Sequence, residues 1–133
     1  MGKMRNAAPV VLRIGIALVF LWFGWKQLSD INAWVGLIPA WYVNISGLTA
    51  TTLVLINGWF EIILGSLLLL GIFTKVAAGL LALHMLHVTF TVGYNGIGVR
   101  DFGLSMGAIA VFLYGIDFWC IDKFFKRNKN INA

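Results

Sequence analysis

Apolar residues dominate this chain in four long stretches, separated by short clusters of glycine, threonine, asparagine and charged residues. An α-helix rises about 1.5 Å per residue and needs about 20 mainly apolar residues to cross roughly 30 Å of hydrocarbon. Segments near 9–28, 52–71, 75–94 and 101–120 meet that requirement. The pattern predicts an all-α membrane protein, one domain over residues 1–133, built as an antiparallel bundle of four transmembrane helices. Pro9 suits the first turn of the first helix, where its missing N–H would be unpaired anyway. Gly71-Ile72-Phe73-Thr74 leaves room only for a tight hairpin, the glycine stopping one helix and Thr74 capping the next. Gly93-Tyr94-Asn95-Gly96-Ile97-Gly98 makes a second short turn. The long connection, about 29–51, carries Trp34, Trp41 and Tyr42, aromatics that suit the membrane–water boundary, and Pro39 argues against one continuous helix there. An interfacial or re-entrant segment is expected, either lidding a cavity or serving as a passive aromatic belt.

Composition agrees with a lipid environment. The chain is 60% hydrophobic and 11% charged, against about a quarter charged in soluble proteins, so too few charges exist to coat a water-facing surface. The net charge of +5 does not point to nucleic acid, because four of the ten basic residues fall in one tail, Lys123, Lys126, Arg127 and Lys129. These residues join Lys3, Arg5 and Lys75 on one side of the predicted bundle and leave Lys26 and Arg100 on the other, which predicts both termini on the cytoplasmic side. Lys3 and Arg5 ahead of an apolar run superficially suggest a signal peptide. The run from Val10 to Leu28 exceeds the roughly 7–15 residues of a signal core and lacks a clean cleavage site, so it reads as a retained helix. One cysteine, Cys120, excludes an internal disulfide and a Cys-x-x-Cys redox pair.

Ionisable groups inside spanning segments cost on the order of 2.5–3.5 kcal/mol each, so each needs a partner, a route to water or a function. Arg13, Lys26, Glu61, His84 and His87 are the candidates. Counting from Gly71 and Lys75 at about 1.5 Å per residue, Glu61 and His84 share a depth of roughly 14–15 Å from the edge. A direct Glu61–His84 contact follows if their helix faces meet. Gly58, Glu61 and Gly65 form a stripe of small and polar residues, with Asn57 adjoining, and such stripes mark helix contacts in membranes. His84, His87 and Thr91 form a polar stripe on the third helix, and Arg13, Ala17, Phe20 and Gly24 share a face of the first. Lys26 is rotated about 220° from Arg13 and is expected to snorkel outward. Glu61, His84 and His87 are therefore the candidate proton or quinone site, with Arg13 as a further member or a snorkelling surface residue. Trp25 and Trp59 are candidates for stacking on a flat ligand, or belt residues. No metal is expected, because the Glu-x-x-His pairs of di-iron bundles are absent. Arg100 and Asp101 read as a cap at the start of the fourth helix, and Gly103-x-x-x-Gly107 as a close-packing face within the bundle or between protomers.

The order and spacing of several short motifs extend the picture. Leu12-Arg13-Ile14-Gly15, Phe23-Gly24-Trp25-Lys26-Gln27-Leu28, Gly58-x-x-Glu61-x-x-x-Gly65, Leu70-Gly71-Ile72-Phe73-Thr74-Lys75, Leu81-Ala82-Leu83-His84-Met85 and Arg100-Asp101 together make the chain resemble the DoxX family of small four-helix bacterial membrane proteins. Lys75 stands where that family often has arginine, which keeps the charge. The resemblance implies a multi-pass protein of the bacterial cytoplasmic (inner) membrane. It also implies an association with oxidoreductase assemblies such as the small subunit of thiosulfate:quinone oxidoreductases; in that reading the Glu61–His84–His87 region approaches a quinone or relays protons while another chain carries the redox centre, and the cofactor is left open between quinone and none. Two other classes compete with that expectation: a small transporter or channel subunit with Glu61 in its pathway, and a non-catalytic scaffold or homo-oligomer joined through Gly103 and Gly107.

Overall fold

A computed structural model of the chain describes residues 2–131. Seven helices are present among them: α1 (Gly2–Ser29), α2 (Ile31–Val35), α3 (Ala40–Ser46), α4 (Ala50–Leu70), α5 (Thr74–Val92), α6 (Gly96–Tyr114) and α7 (Asp122–Ile131). Four of these, α1, α4, α5 and α6, are long and apolar enough to cross a membrane. They run antiparallel in sequence order. The end holding the start of α1, the α4–α5 turn and α7 is here termed basal, and the end holding α2 and α3 distal.

Small residues decide which helices touch most closely. A Cβ on Gly24 would meet the Gly58 carbonyl oxygen at 2.8 Å, and one on Gly58 would meet the Leu28 side chain at 3.0 Å. Hydrogen at both positions therefore lets α1 and α4 approach backbone to backbone, the membrane counterpart of a core packed by shape. Gly79 receives the Phe112 ring in the same way, with a notional Cβ at 3.2 Å, so α5 and α6 form the second intimate pair. The adjacent helices α4 and α5, expected as a tight hairpin, are joined by a short turn but packed less extensively than either pair. Ala17, Phe20, Leu64, Leu68, Ala77, Ala78, Leu81, Ala108 and Val111 fill the basal half of the interior.

Helix ends differ from the sequence expectation where distant side chains intervene. The fourth spanning helix runs over Gly96–Tyr114 and not 101–120. Its start is set by Asn95, whose side-chain oxygen accepts from the Ile97 and Gly98 amides at 2.9 and 3.0 Å, and its end by Gly115 at φ 82°. Arg100 and Asp101 consequently occupy the second turn and not the cap. Asp122, not Thr74, caps α5: its carboxylate accepts from the Phe73 and Thr74 amides and the Thr74 hydroxyl, each at 2.8 Å. Phe73 takes a left-handed conformation, φ 49°, under that clamp. Helix α1 begins well before Pro9, which lies inside it. Residues 4–8, just before Pro9, are exposed, so the Arg5 carbonyl released by the missing N–H faces the polar boundary and not hydrocarbon.

Arg13 is the main surprise at the basal end. Only 1% exposed, it does not snorkel. Its Nε donates to Asp117 Oδ2 at 2.6 Å, and its Nη1 donates to the Leu68 and Leu69 carbonyl oxygens, each at 2.7 Å. One guanidinium thus satisfies the Leu69 carbonyl, joins the Gly71 amide at the Leu68 carbonyl at the C-terminus of α4, where intrahelical donors run out, and holds α1, α4 and the 115–121 segment together. Asp117 is buried, which opposes its ionisation, but hydrogen bonds from Arg13 and the Trp119 amide, with the Arg13 charge, outweigh burial and hold its carboxyl below the usual range. Asp122 is lowered in the same sense, burial again being outweighed by the bonds from Thr74 and Phe73.

Stability should follow these contacts. Removing one partner of a buried pair strands the other charge, at a cost of about 3–5 kcal/mol, so Arg13→Ala and Asp117→Asn should each sharply lower the thermal midpoint of detergent-purified protein. Because both aspartates have depressed values in the fold, their contribution is complete above the unfolded value of about 3.9 and disappears as pH falls through the lower folded values. Thermal melts across that acid range should show the loss in the wild type and a smaller one in Asp117→Asn.

Candidate functional site

The buried face of α1 continues from Arg13 through Ala17, Phe20 and Gly24 to Gln27, three residues beyond the expected stripe. Gln27 meets Asn57 and Glu61 of α4 in a closed polar network. Gln27 Nε2 donates to Glu61 Oε2 at 2.9 Å, Asn57 Nδ2 donates to Glu61 Oε1 at 3.1 Å, and the same Asn57 amide donates to Gln27 Oε1 at 2.6 Å. Glu61 itself is 1% exposed. It points into the bundle, as its glycine-flanked position predicts.

His84 of α5 completes the group. Its Nε2 lies 3.7 Å from Glu61 Oε1, close enough for strong electrostatic coupling and slightly too far for a hydrogen bond. That nitrogen is buried and has no hydrogen-bond partner. Native proteins rarely leave such an atom unpaired without a reason, and a shift of either side chain by a few tenths of an ångström would let the pair share a proton. The Phe60 ring packs on the imidazole with centroids 4.7 Å apart, fixing its plane.

A cavity of about 370 Å³ opens beside this pair in the distal half of the bundle. It lies between the α1–α4 and α5–α6 pairs, where α4 and α5 separate. The polar stripe of α5, His84, His87 and Thr91, lines one wall. The 30–49 connection supplies Trp34, Leu37, Ile38 and Tyr42 as another, so the expected interfacial segment walls a cavity. His87 is more exposed than His84 and packs against Tyr42 with ring centroids 5.4 Å apart and planes tilted by 54°, whereas Trp34 meets the edge of Phe23 at 5.8 Å. Arg100 and the buried Asp101 form an ion pair of 2.7 Å at the same cavity. The Arg100 guanidinium lies 4.4 Å over the Phe23 ring, a cation–π contact that holds it at the wall.

The structure therefore brings together Glu61, His84 and His87, and separates Arg13, Trp25 and Trp59 from them. Arg13 is committed to the basal lock, about two turns of α4 away at roughly 10 Å of rise. Trp25 and Trp59 are 65% and 55% exposed on the outer surface of the bundle and do not line the cavity. The aromatic rings that do line it are Phe23, Trp34, Tyr42 and Phe60. Gly107 packs on Ile16 of the same chain, whereas Gly103 faces open space. Sequence reasoning passed over Gln27, although it extends the buried stripe of α1. It also passed over Arg100 and Asp101 as wall residues, and reading Asn95 as the helix start would have placed them inside the span. Glu61 and His84 offer two metal ligands, and among the described residues no three of His, Cys, Asp and Glu gather at one point.

The network has a measurable consequence. Gln27→Leu removes one donor from Glu61 and one of the two acceptors of Asn57, and buried polar groups deprived of a partner cost about 1–3 kcal/mol. The variant should melt several degrees below the wild type, and a Trp25→Leu control on the outer surface should melt with it.

Comparison with known proteins agrees with this architecture. The DoxX family model matches residues 8–94, a range that includes Glu61, His84, His87 and the helices of the connection. A Haemophilus influenzae (strain ATCC 51907 / DSM 11121 / KW20 / Rd) protein, described as an uncharacterized protein, is 28% identical over 116 residues, covering 87% of this chain and 81% of the relative. No solved structure matches the chain.

Proposed function

The chain belongs to the DoxX family, and from that membership and the chemistry of the cavity we propose that it is an integral membrane subunit of an oxidoreductase complex, in which the cavity receives a quinone ring beside Glu61 and His84. The observation that carries this reading is the unpaired, buried Nε2 of His84 at the polar end of a largely apolar cavity. A volume of about 370 Å³ falls within the ordinary range of small-ligand sites, about 300–1,000 Å³. Aromatic walls suit a flat ring, and a protonated His84 nitrogen or the Arg100 guanidinium suits a carbonyl oxygen.

Bound quinone supplies a two-electron, two-proton acceptor. With a single cysteine the chain offers no dithiol pair as electron donor, and in this reading a partner subunit with its own redox centre would supply the electrons. Glu61 and His84 hold the protons at the carbonyl, and Gln27 and Asn57 fix the carboxylate so that its Oε1 stays directed at the imidazole. Phe60 and Tyr42, which line the cavity, take the stacking role expected of Trp25 and Trp59.

A transport pathway through Glu61 has less support. Below the carboxylate the axis is packed with Leu64, Leu68, Ala77, Ala78 and Leu81, an apolar plug between the cavity and the basal end. For orientation, we place the basal end in the cytoplasm of a bacterial inner membrane, because Arg5, Lys75, Lys123, Lys126, Arg127 and Lys129 lie there, against Lys26 and Arg100 at the distal end.

Quinone binding to purified protein, followed by the quenching of intrinsic fluorescence, tests the site. His84→Ala and Glu61→Gln should each weaken binding about tenfold, the scale of one lost hydrogen bond to a polar ligand atom. Trp25→Leu and Trp59→Leu should stay within about twofold, as surface substitutions do. Wild-type affinity in both His84→Ala and Glu61→Gln would remove the quinone from this cavity.

A further inference from the structure

A second pocket lies at the opposite end of the molecule, about 260 Å³ in volume, between the first turns of α1, the segment after α6 and the start of α7. We propose that it binds the phosphate of an anionic phospholipid. Its polar lining consists of Asn6, Tyr114, Asp117, Lys123 and Lys126. The only carboxylate there among the described residues, Asp117, is already neutralised by Arg13 at 2.6 Å. Asp122, the acid next in sequence to Lys123, is engaged at the α4–α5 turn as the cap of α5. Among the described residues, neither lysine has a carboxylate partner. The Lys123 ammonium sits 4.1 Å over the Phe118 ring, which holds it at the pocket without neutralising it. The pocket thus gathers two uncompensated ammonium groups, a phenol and an amide, a donor set for a phosphate.

Its height selects a lipid over a soluble anion. Tyr114 ends the fourth membrane span, and Asn6 lies two residues inside the first, which begins at Met4. The donors therefore sit at the boundary where headgroup phosphates lie. Leu113, Phe118 and Trp119 are exposed beside the pocket, and acyl chains descending from it would run along that apolar surface. Helix α7 is built to lie in the same plane. At about 100° per residue from Asp122, Lys123 and Lys126 fall near 100° and 40°, and Phe124 and Phe125 near 200° and 300°, so basic and apolar sides separate. Both phenylalanines are exposed, ready to enter the interface as amphipathic helices do.

Full-length protein in nanodiscs of phosphatidylcholine mixed with phosphatidylglycerol, followed by native mass spectrometry of retained lipid, tests the site. The wild type should retain phosphatidylglycerol in preference to phosphatidylcholine. Lys123→Gln with Lys126→Gln should reduce that retention on the order of tenfold or more, given the attraction of each lysine near an anionic surface. Arg127→Gln with Lys129→Gln removes the same charge from α7 outside the pocket and should leave retention near the wild-type level. All four side chains are exposed, so both variants keep the fold. Tyr114→Phe should lower retention by a smaller factor. Equal losses in the two double variants would reduce the effect to diffuse surface charge and overturn the site. Displacement of phosphatidylglycerol by inorganic phosphate would assign the pocket to a soluble anion, and equal retention of phosphatidylcholine would overturn the charge argument.

Discussion

A guanidinium buried at the edge of a membrane bundle has to be bonded on every side, and Arg13 meets that constraint by tying three parts of the chain together. Its contacts with Asp117 and the Leu68 and Leu69 carbonyls join α1, the end of α4 and the segment following α6. Asp122 then caps α5 from the same segment. Asp122 also donates its amide to the Gly71 carbonyl at 2.9 Å, so the basal ends of all four spanning helices are tied through one short stretch. Lipid cannot satisfy a backbone carbonyl, which gives this arrangement its energetic force. With the basal half fixed and apolar, the distal half can separate around a cavity without the bundle coming apart.

The two ends of the bundle use polar groups differently. At the basal end the buried Arg13 and Asp117 side chains answer one another. At the distal end Gln27, Asn57 and Glu61 are mutually bonded, yet His84 Nε2 is left unpaired 3.7 Å from the carboxylate. Phe60 fixes the plane of the imidazole, so the pair is held at this separation beside the cavity.

Much of this was legible in the sequence, because the rules involved are local or periodic. The four spans follow from apolar length. The inward direction of Glu61 follows from Gly58 and Gly65, and its shared level with His84 follows from counting residues out of the Gly71–Lys75 turn. What escaped was set by side chains acting across the fold. Arg13 looked like a residue able to reach the surface, and only the return of Asp117 to the start of α1 makes burial favourable. Thr74 looked like a cap until Asp122, 48 residues on, took that role. Trp25 and Trp59 carry the right chemistry for stacking on a ligand, but their helix faces turn them to lipid. Composition cannot distinguish an aromatic wall from an aromatic belt.

The matched range of the DoxX family model sharpens the division between scaffold and site. It ends at residue 94 and so contains Arg13 but not Asp117, and contains Glu61, His84 and the walls contributed by α1–α5 but not Arg100 or Asp101. The polar end of the cavity, where proton chemistry is proposed, is therefore built wholly from matched residues. The Arg100–Asp101 pair at the wall and the basal phosphate pocket draw on residues beyond the match. The carboxylate–imidazole pair and the Arg100–Asp101 pair thus stand on different helices, the first on α4 and α5 and the second on α6, so a substitution at Arg100 leaves the contact between Glu61 and His84 in place.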